Sequence, residues 1–346
     1  MICYLFDAPK YLFFASDVPP LLYYSHIPTT ILALVVGVFV FLSNPRKLQN
    51  QLLLLIALFF SWWTTLSLLA WTNINADFLA FIWPGFGISA AFLSIFSIYF
   101  VYVYVDKKDV SFSMKLIFLA LLAPVLLFSH TNLSLSGFDL TNCDAFLYEG
   151  LYFKAYYTAL GFLAMGWIMT FLTRRYLTSN DAGRREILLM GIGIEFFLFF
   201  FITTTFIVTQ LTNMGVFVDS RLEMYGLFGM SFFMVMMGVL IVKFKAFNIS
   251  VHASQALVIA LLILVASQFT FDQSRPAIIL TSVTLVLTTI ASLIIVRSVK
   301  KEVEQRKEIE GLVTKLDKAN KRLKVLDKMK SEFVSIASHQ LRSPLT

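Results

Sequence analysis

Long apolar segments separated by short polar ones dominate this chain. A helix needs about 20 consecutive, mostly apolar residues to cross a hydrocarbon core about 30 Å thick. Such segments recur nine times, at about 27–43, 51–71, 79–105, 115–130, 153–172, 187–211, 224–242, 251–271 and 277–297. The fourth is short and contains Pro124. The pattern predicts an all-α, polytopic membrane bundle of about nine transmembrane helices, preceded by an extracytoplasmic segment at 1–26.

The period of the apolar residues changes after Arg297. Charged residues fill 298–332, and the apolar ones recur at spacings of 3, 4, 3, 4 and 3. This is an a/d seam of about three heptads, which is typical of a coiled coil. We therefore expect a cytoplasmic coiled-coil linker that pairs with a second copy as a parallel homodimer; a solvated helix without a partner is the alternative. The seam consists of Ile309, Leu312, Leu316, Ala319, Leu323 and Leu326.

Composition agrees with a membrane environment. The chain is 58% hydrophobic and 14% charged, whereas soluble domains are about 45–50% apolar and about 25% charged. The net charge of +7 does not indicate nucleic acid binding, because no fold or element that reads bases is visible. Thirteen Lys and Arg against seven Asp and Glu in 297–346 account for +6 of that charge, and a basic helix beside a membrane is attracted to anionic lipids.

The positions of Lys and Arg predict the orientation of the bundle. If the N-terminus lies outside, the inner loops hold eleven Lys and Arg and the outer segments hold four. Cytoplasmic loops carry the excess of basic residues in membrane proteins. Nine spans then place the C-terminal tail in the cytoplasm, where ATP is available.

The last fourteen residues, FVSIASHQLRSPLT, carry the most specific motif. This run closely resembles the phosphoacceptor box of sensor histidine kinases, with Phe333, Ser338, His339, Arg342 and Pro344 among the matching positions. The resemblance implies that His339 is phosphorylated by ATP and passes the phosphoryl group to an aspartate of a cytoplasmic response regulator. Pro344 cannot donate a hydrogen bond to the carbonyl of Gln340, so a helix is expected to kink just after His339.

Two positions depart from the usual pattern of this box. Gln340 stands where the family usually has an acid; its amide can orient the imidazole but cannot act as a base at neutral pH. Ser343 stands where members with phosphatase activity tend to have Thr or Asn, which leaves phosphatase activity in doubt.

The membrane part carries a second, more diffuse resemblance, to the seven-transmembrane region found ahead of many bacterial histidine kinases. It rests on the segments NPRKLQNQLLLLIALFFSWW, YFKAYYTALGFLAMGWIMTFLTRRY and VKFKAFNIS, and it covers about 27–250. Two further spans, 251–297, then lead to the linker at 298–332. Residues 333–346 would begin the dimerisation and phosphotransfer domain. The resemblance implies a bacterial inner-membrane protein.

No ATP-binding domain follows the box or fits before it, so we expect a truncated piece of a longer kinase. ATP and Mg²⁺ would be bound by the full-length protein only, and this chain alone would bind neither and be inactive. No Cys or His stands at ligand spacing, so no metal site is expected.

Glu195 is the one acid in the centre of a predicted span. A carboxyl group in hydrocarbon is costly, and such residues usually face the bundle interior and mark a functional site. Glu195 could therefore sense a proton or cation, or act as a hydrogen-bonding strut, with Thr203, Thr204 and Thr205 on the same polar track.

Other functional classes remain open on sequence alone. The chain could be a polytopic transporter or channel with a regulatory helix, or a membrane scaffold that uses its coiled coil to dimerise. Transport favours internal repeats and several intramembrane polar residues, and only Glu195 fits that pattern.

Overall fold

The structure, a computed structural model, describes residues 18–73, 76–134, 151–213 and 220–244, together with isolated helical residues between 282 and 329. The chain divides into two compact units, Met1–Leu293 and Ile294–Thr346. Every regular element in the described ranges is helical, which confirms the predicted all-α class. The nine predicted spans are only partly covered, since 251–271 and 277–297 lie largely outside the described residues.

The first unit is a bundle of apolar helices. In chain order its helices are α1 (Pro20–Ser43), α2 (Leu48–Thr72), α3 (Ala76–Ile82), α4 (Pro84–Asp106), α5 (Phe112–Phe128), α6 (Leu151–Thr178), α7 (Asp181–Asn213) and α8 (Phe228–Phe244). A 3₁₀ segment, Ser220–Leu227, precedes α8.

Five of these stretches are long and apolar enough to cross a membrane: α1, α2, Phe78–Asp106, Ala155–Thr178 and Gly183–Thr204. Helix α5 is apolar but shorter, with 17 residues. By length and composition the described chain is a membrane-embedded, multi-pass protein. The third predicted span is divided between α3 and α4 at Trp83, because Pro84 starts a new helix at the first-turn position where its missing N–H is not needed.

The turn between α1 and α2 is held by the polar residues that follow it. The Asn50 side chain donates to the carbonyl oxygens of Val40 at 2.8 Å and Asn44 at 3.2 Å. These carbonyls are at the end of α1, where no helical N–H can reach them. Gln51 donates to the carbonyl of Pro45 at 2.8 Å. The polar run NPRKLQNQ therefore fixes α1 and α2 as an antiparallel pair.

Phenylalanines from four helices meet at the centre of the bundle. Phe60 of α2, Phe100 of α4, Phe197 of α7 and Phe233 of α8 are all fully buried. The ring centroid of Phe197 lies 5.9 Å from the centroids of Phe60 and Phe233, and the ring centroid of Phe233 lies 6.3 Å from that of Phe100. These distances fit favourable aromatic pairs, so the rings join the four helices into one core.

Loops rich in basic residues converge at one end of this unit. Phe59 of α2 stacks on Phe92 of α4 at 4.5 Å, and Gly85 at the start of α4 lies against Leu66 near the end of α2. Helices α2 and α4 are therefore antiparallel, which places the α1–α2 turn beside the end of α4. The α6–α7 turn reaches the same end through an ion pair between Arg175 and Asp106.

We call this the basic end. Its loops and helix ends carry nine cations and four carboxylates: Arg46, Lys47, Lys107, Lys108, Lys115, Arg174, Arg175, Arg184 and Arg185, with Asp106, Asp109, Asp181 and Glu186.

Within the second unit, the isolated residues that are described are helical. Four of the predicted seam residues are among them, and each exposes more than half of its surface in the single chain: Leu312 57%, Leu316 70%, Leu323 65% and Leu326 57%. The coiled coil itself and its pairing stay predictions.

Candidate functional site

The predicted phosphoacceptor box lies outside the described residues. This applies to His339, Gln340, Ser343 and Pro344, whose roles stay predictions. Of the predicted site residues, Glu195 is described, and its surroundings can be examined directly.

Glu195 lies on α7, at the border between the α6 interface and the outer face of the bundle. Gly191, one turn earlier, faces α6, since a Cβ there would lie 2.9 Å from Leu172 Cδ1. Phe199, one turn later, is 48% exposed. The Oε1 atom of Glu195 is buried and has no hydrogen-bond partner in the described part of the chain. The residue as a whole is partly buried, with Oε1 shielded from solvent.

Of the threonines expected on a polar track with Glu195, Thr204 does not share its side of α7, and the side chain of Thr205 lies outside the described residues. Thr204 donates a short hydrogen bond to the carbonyl of Phe200 and lies against Gly226 of the 3₁₀ segment. Nine residues separate Thr204 from Glu195, which is about two and a half helical turns. The two side chains thus lie on opposite sides of α7. The hydroxyl of Thr203 is buried without a partner among the described residues.

A buried histidine, His26, joins α1 to α2. It is 3% exposed, and its ring stacks on Trp63 with centroids 6.4 Å apart. Nδ1 lies 2.8 Å from the carbonyl oxygen of Leu22, and Nε2 lies 2.9 Å from Ser67 Oγ. Because a carbonyl can only accept, the Nδ1 atom carries the proton and Nε2 accepts from the Ser67 hydroxyl. Both ring nitrogens are satisfied, so this neutral imidazole acts as a contact between helices.

A second polar contact continues this interface one turn further along α1. The hydroxyl groups of Thr30 and Thr64 lie 2.6 Å apart, and Thr30 also donates to the carbonyl of His26 at 2.6 Å. Polar contacts of this kind hold helices together where lipid removes the hydrophobic driving force between them.

At the basic end, a three-residue network connects α4 to α7. The hydroxyl of Tyr104 donates to Glu186 Oε1 at 2.8 Å, and Lys107 Nζ lies 3.3 Å from the same oxygen. Lys107 also lies over the Tyr104 ring, 4.1 Å from its centroid. Lys107 ends α4 in the left-handed region with φ of 53°. That conformation, uncommon for a residue with a Cβ, turns the chain so that the ammonium group folds back onto the ring.

The α6–α7 hairpin is held by Arg175, Asn180 and Arg184. Arg175 Nη2 donates to Asp106 Oδ2 at 2.7 Å, which ties α6 to the end of α4. Asn180 caps α7 by accepting from the N–H of Gly183 at 2.9 Å. Arg184 Nε donates at 3.2 Å to the carbonyl of Tyr176 in the last turn of α6, which also accepts from the N–H of Ser179 at 3.4 Å.

The loop between α4 and α5 is organised around Asp109. Its carboxylate accepts from Tyr99 at 2.6 Å, from the N–H of Val110 at 2.7 Å and from Lys115 at 2.6 Å. Burial alone would raise the pKa of Asp109, but the hydrogen bonds from Lys115, Tyr99 and Val110 and the charge of Lys115 outweigh it and hold this pKa below its usual value.

Within the described ranges, no group of three or more His, Cys, Asp or Glu side chains could hold a metal ion. The arrangement therefore consists of one isolated intramembrane acid, one buried imidazole between helices and a charged network at one end. The Ser67 hydroxyl and the His26 imidazole form a hydroxyl–base pair, but both are buried between α1 and α2, at 6% and 3% exposure, where no substrate could reach them.

Comparison with known proteins finds no match to a family model, to a curated protein or to a solved structure. Functional inference therefore rests on the residues themselves.

Sequence reasoning missed two polar contacts between helices in the described part of the bundle. His26 and Ser67 are 41 residues apart, and Tyr104 and Glu186 are 82 residues apart. A single sequence carries no signal for such pairs.

Proposed function

We propose that this chain is the membrane sensor portion of a two-component histidine kinase. The observation that carries this proposal is the run from Phe333 to Thr346, in which His339 is followed by Leu341, Arg342 and Pro344. The apolar helices, the basic end and the exposed leucine seam support the proposal, because a receptor of this kind needs a lipid-embedded region, a defined orientation and a means to dimerise.

His339 is the residue that would carry the chemistry. An imidazole with an unperturbed pKa of about 6.5 is largely neutral, and so nucleophilic, near pH 7. In the full-length protein its nitrogen would bond to the γ-phosphorus of ATP as the bond to the β–γ bridging oxygen breaks and ADP leaves. The phosphoryl group would then pass to an aspartate of the response regulator. Positioning and charge neutralisation govern such transfers, and ATP and Mg²⁺ would be held by a catalytic domain.

The neighbours of His339 would position the ring. Gln340 can accept or donate a hydrogen bond to orient the imidazole, but it cannot take a proton as the usual acid can. Autophosphorylation would therefore survive at a reduced rate. Pro344 would kink the helix and let His339 meet two partners in turn. Ser343 in place of Thr or Asn argues against strong phosphatase activity.

The basic end would face the cytoplasm of a bacterial cell. In the described loops it carries nine cations and four carboxylates, and short cytoplasmic loops are the ones enriched in Lys and Arg. The N-terminus would then lie outside and the linker inside. The seam at 298–332 would pair two copies, and a response regulator would be the soluble partner.

Glu195 would belong to the sensing part. The stimulus would act within the spans, because the described loops are too short to fold as a separate ligand-binding domain. A partly buried acid on α7 would respond to changes in helix packing, because an ionisable group in the membrane is costly unless its neighbours pair with it.

Phosphorylation in trans tests the proposal. The full chain in detergent or nanodiscs is mixed with a matching histidine kinase catalytic domain and radiolabelled ATP. We expect acid-labile label on the chain, lost in His339→Ala and retained in His130→Ala, which removes a described histidine elsewhere. Label that persists in His339→Ala, or no label under conditions that label a related kinase fragment, would contradict the proposal and favour a transporter or a scaffold.

A further inference from the structure

An open cleft of about 410 Å³ lies at the basic end, between the end of α4, the end of α6 and the start of α7. Its size falls within the range of about 300–1,000 Å³ usual for ligand pockets. Its walls include Tyr104, Asp106, Lys107, Arg175, Thr178 and Glu186. The cleft lies where apolar helices end, which is the depth of lipid headgroups in a membrane protein.

The two cations that line the cleft have unused donors. Arg175 has five N–H donors and uses Nη2 for Asp106. Its guanidinium also lies over the Phe171 ring, 5.4 Å from the centroid, which helps to fix its position. Lys107 has three donors and gives one to Glu186. Arg175 is 45% exposed and Lys107 is 53% exposed, so both can still bind an anion while paired.

The surroundings of the cleft are net positive. The lining itself is neutral, with Lys107 and Arg175 against Asp106 and Glu186. The same loops and helix ends add Lys108, Arg174, Arg184 and Arg185 against Asp109 and Asp181, which leaves +2 around the cleft. Basic pockets between transmembrane helices are a recurrent binding site for anionic headgroups.

Exposed apolar side chains adjoin, along the chain, two residues that line the cleft. Leu177 precedes Thr178 and is 68% exposed, and Leu188 follows Ile187 and is 50% exposed. A free phosphate ion would not use this surface, whereas a lipid would. The hairpin beneath the cleft is fixed by the Asn180 cap and by Arg184, so the site is present before any ligand arrives.

We propose that this cleft binds the phosphate headgroup of an anionic membrane lipid, with Arg175 and Lys107 as the ligating cations. The lipid would add a bridge across α4, α6 and α7, and its binding would stabilise the bundle by mass action. This site is independent of the role proposed for His339.

Lipid titration of the full chain in neutral detergent tests the proposal. Dioleoylphosphatidylglycerol and, as the control, dioleoylphosphatidylcholine are added in separate titrations. Lipid binding is followed by native mass spectrometry and by the midpoint of thermal unfolding. We expect phosphatidylglycerol alone to bind and to raise the midpoint. Indistinguishable effects of the two lipids would overturn the proposal.

Variants locate the site. Arg175→Gln combined with Asp106→Asn removes both partners of one ion pair, so no unpaired carboxylate is left. The double change leaves the net charge unaltered, so diffuse attraction stays the same, and loss of the ligating guanidinium is expected to weaken lipid binding by up to about fivefold, from about 1 kcal/mol per cation. Arg46→Gln removes a cation at the same end but outside the cleft, and we expect it to leave lipid binding unchanged. Equal weakening in both variants would indicate diffuse attraction and contradict the site.

Soluble phosphates distinguish a cleft that binds a lipid headgroup from one that binds a free anion. Inorganic phosphate and glycerol-1-phosphate are added at the concentration at which the lipid protects. We expect neither to raise the unfolding midpoint, since neither can contact Leu177 and Leu188. Protection by either one that is lost in Arg175→Gln/Asp106→Asn would show that the cleft takes a soluble anion, and the lipid proposal would fail.

Discussion

Replacement of Gly37 by alanine tests how closely α1 and α2 pack. A Cβ at Gly37 would lie 2.7 Å from Ala57 Cβ, which is 0.7 Å short of the 3.4 Å at which ordinary contact begins. Ala57 is a short side chain fixed to α2, so it cannot rotate away and the helices must separate. Gly166 on α6 is the matched control, because nothing lies within 4 Å of a Cβ there.

The same substitution is therefore expected to have different effects at the two sites. Both variants gain about 0.5–1 kcal/mol from the better helix propensity of alanine. Gly37→Ala alone has the cost of overpacking, which is about 1–3 kcal/mol. We expect Gly37→Ala to be less stable than Gly166→Ala by about that amount.

Reversible unfolding in mixed detergent and sodium dodecyl sulfate micelles, followed by far-ultraviolet circular dichroism, measures this difference. The two variants should be compared with each other and with the unmodified chain under identical micelle composition. Equal stability of the two variants, or greater stability of Gly37→Ala, would refute the close contact between α1 and α2.

Two further predictions concern polar groups. Ser67→Ala removes the donor to His26 Nε2, and the same unfolding assay should show that the free energy of unfolding falls by about 0.6 kcal/mol, at most about 1.7 kcal/mol. Ser94 is the control, because it is a buried serine whose hydroxyl bonds within its own helix. Ser94→Ala should lose less stability than Ser67→Ala, and a larger loss in Ser94→Ala would contradict the interhelical role of Ser67. The folded pKa of Asp109 is held below its usual value, so its contribution to stability is present above about pH 4 and is lost as the pH falls through the folded pKa. Asp109→Asn should therefore be less stable than the unmodified chain at pH 7, and the gap should close on acidification; a gap that widens towards low pH would contradict this.

The sequence was informative about helices and about charge, because both depend on local pattern. Apolar runs of membrane length predicted α1, α2, α6 and α7, and Pro84 within the third run marked a break that the apolar pattern alone did not reveal. The loop cations from Arg46 to Arg185 were expected on one side, and they do converge at one end of the bundle. The cations converge because a short loop between two antiparallel helices must lie at one end of the bundle or the other, and alternate loops lie at the same end.

Contacts between distant residues could not be predicted in the same way. His26 directly precedes the first apolar run in the sequence, and only the packing of α1 on α2 places it against Ser67 and Trp63. Glu195 is partly buried on α7, with its Oε1 atom shielded from solvent, and the sequence did not indicate which neighbouring helix it faces. A hydrophobic run that is apolar on all sides gives no indication of which face is buried, so the position of a single acid on it stays undetermined.

The orientation of the C-terminal tail is the part of the account on which the kinase proposal depends. Green fluorescent protein and alkaline phosphatase, fused in separate chains after Thr346 and expressed in bacteria, report opposite sides of the membrane. The account predicts fluorescence and no phosphatase activity, because His339 must meet ATP in the cytoplasm. Phosphatase activity without fluorescence would place His339 outside and contradict the proposed function.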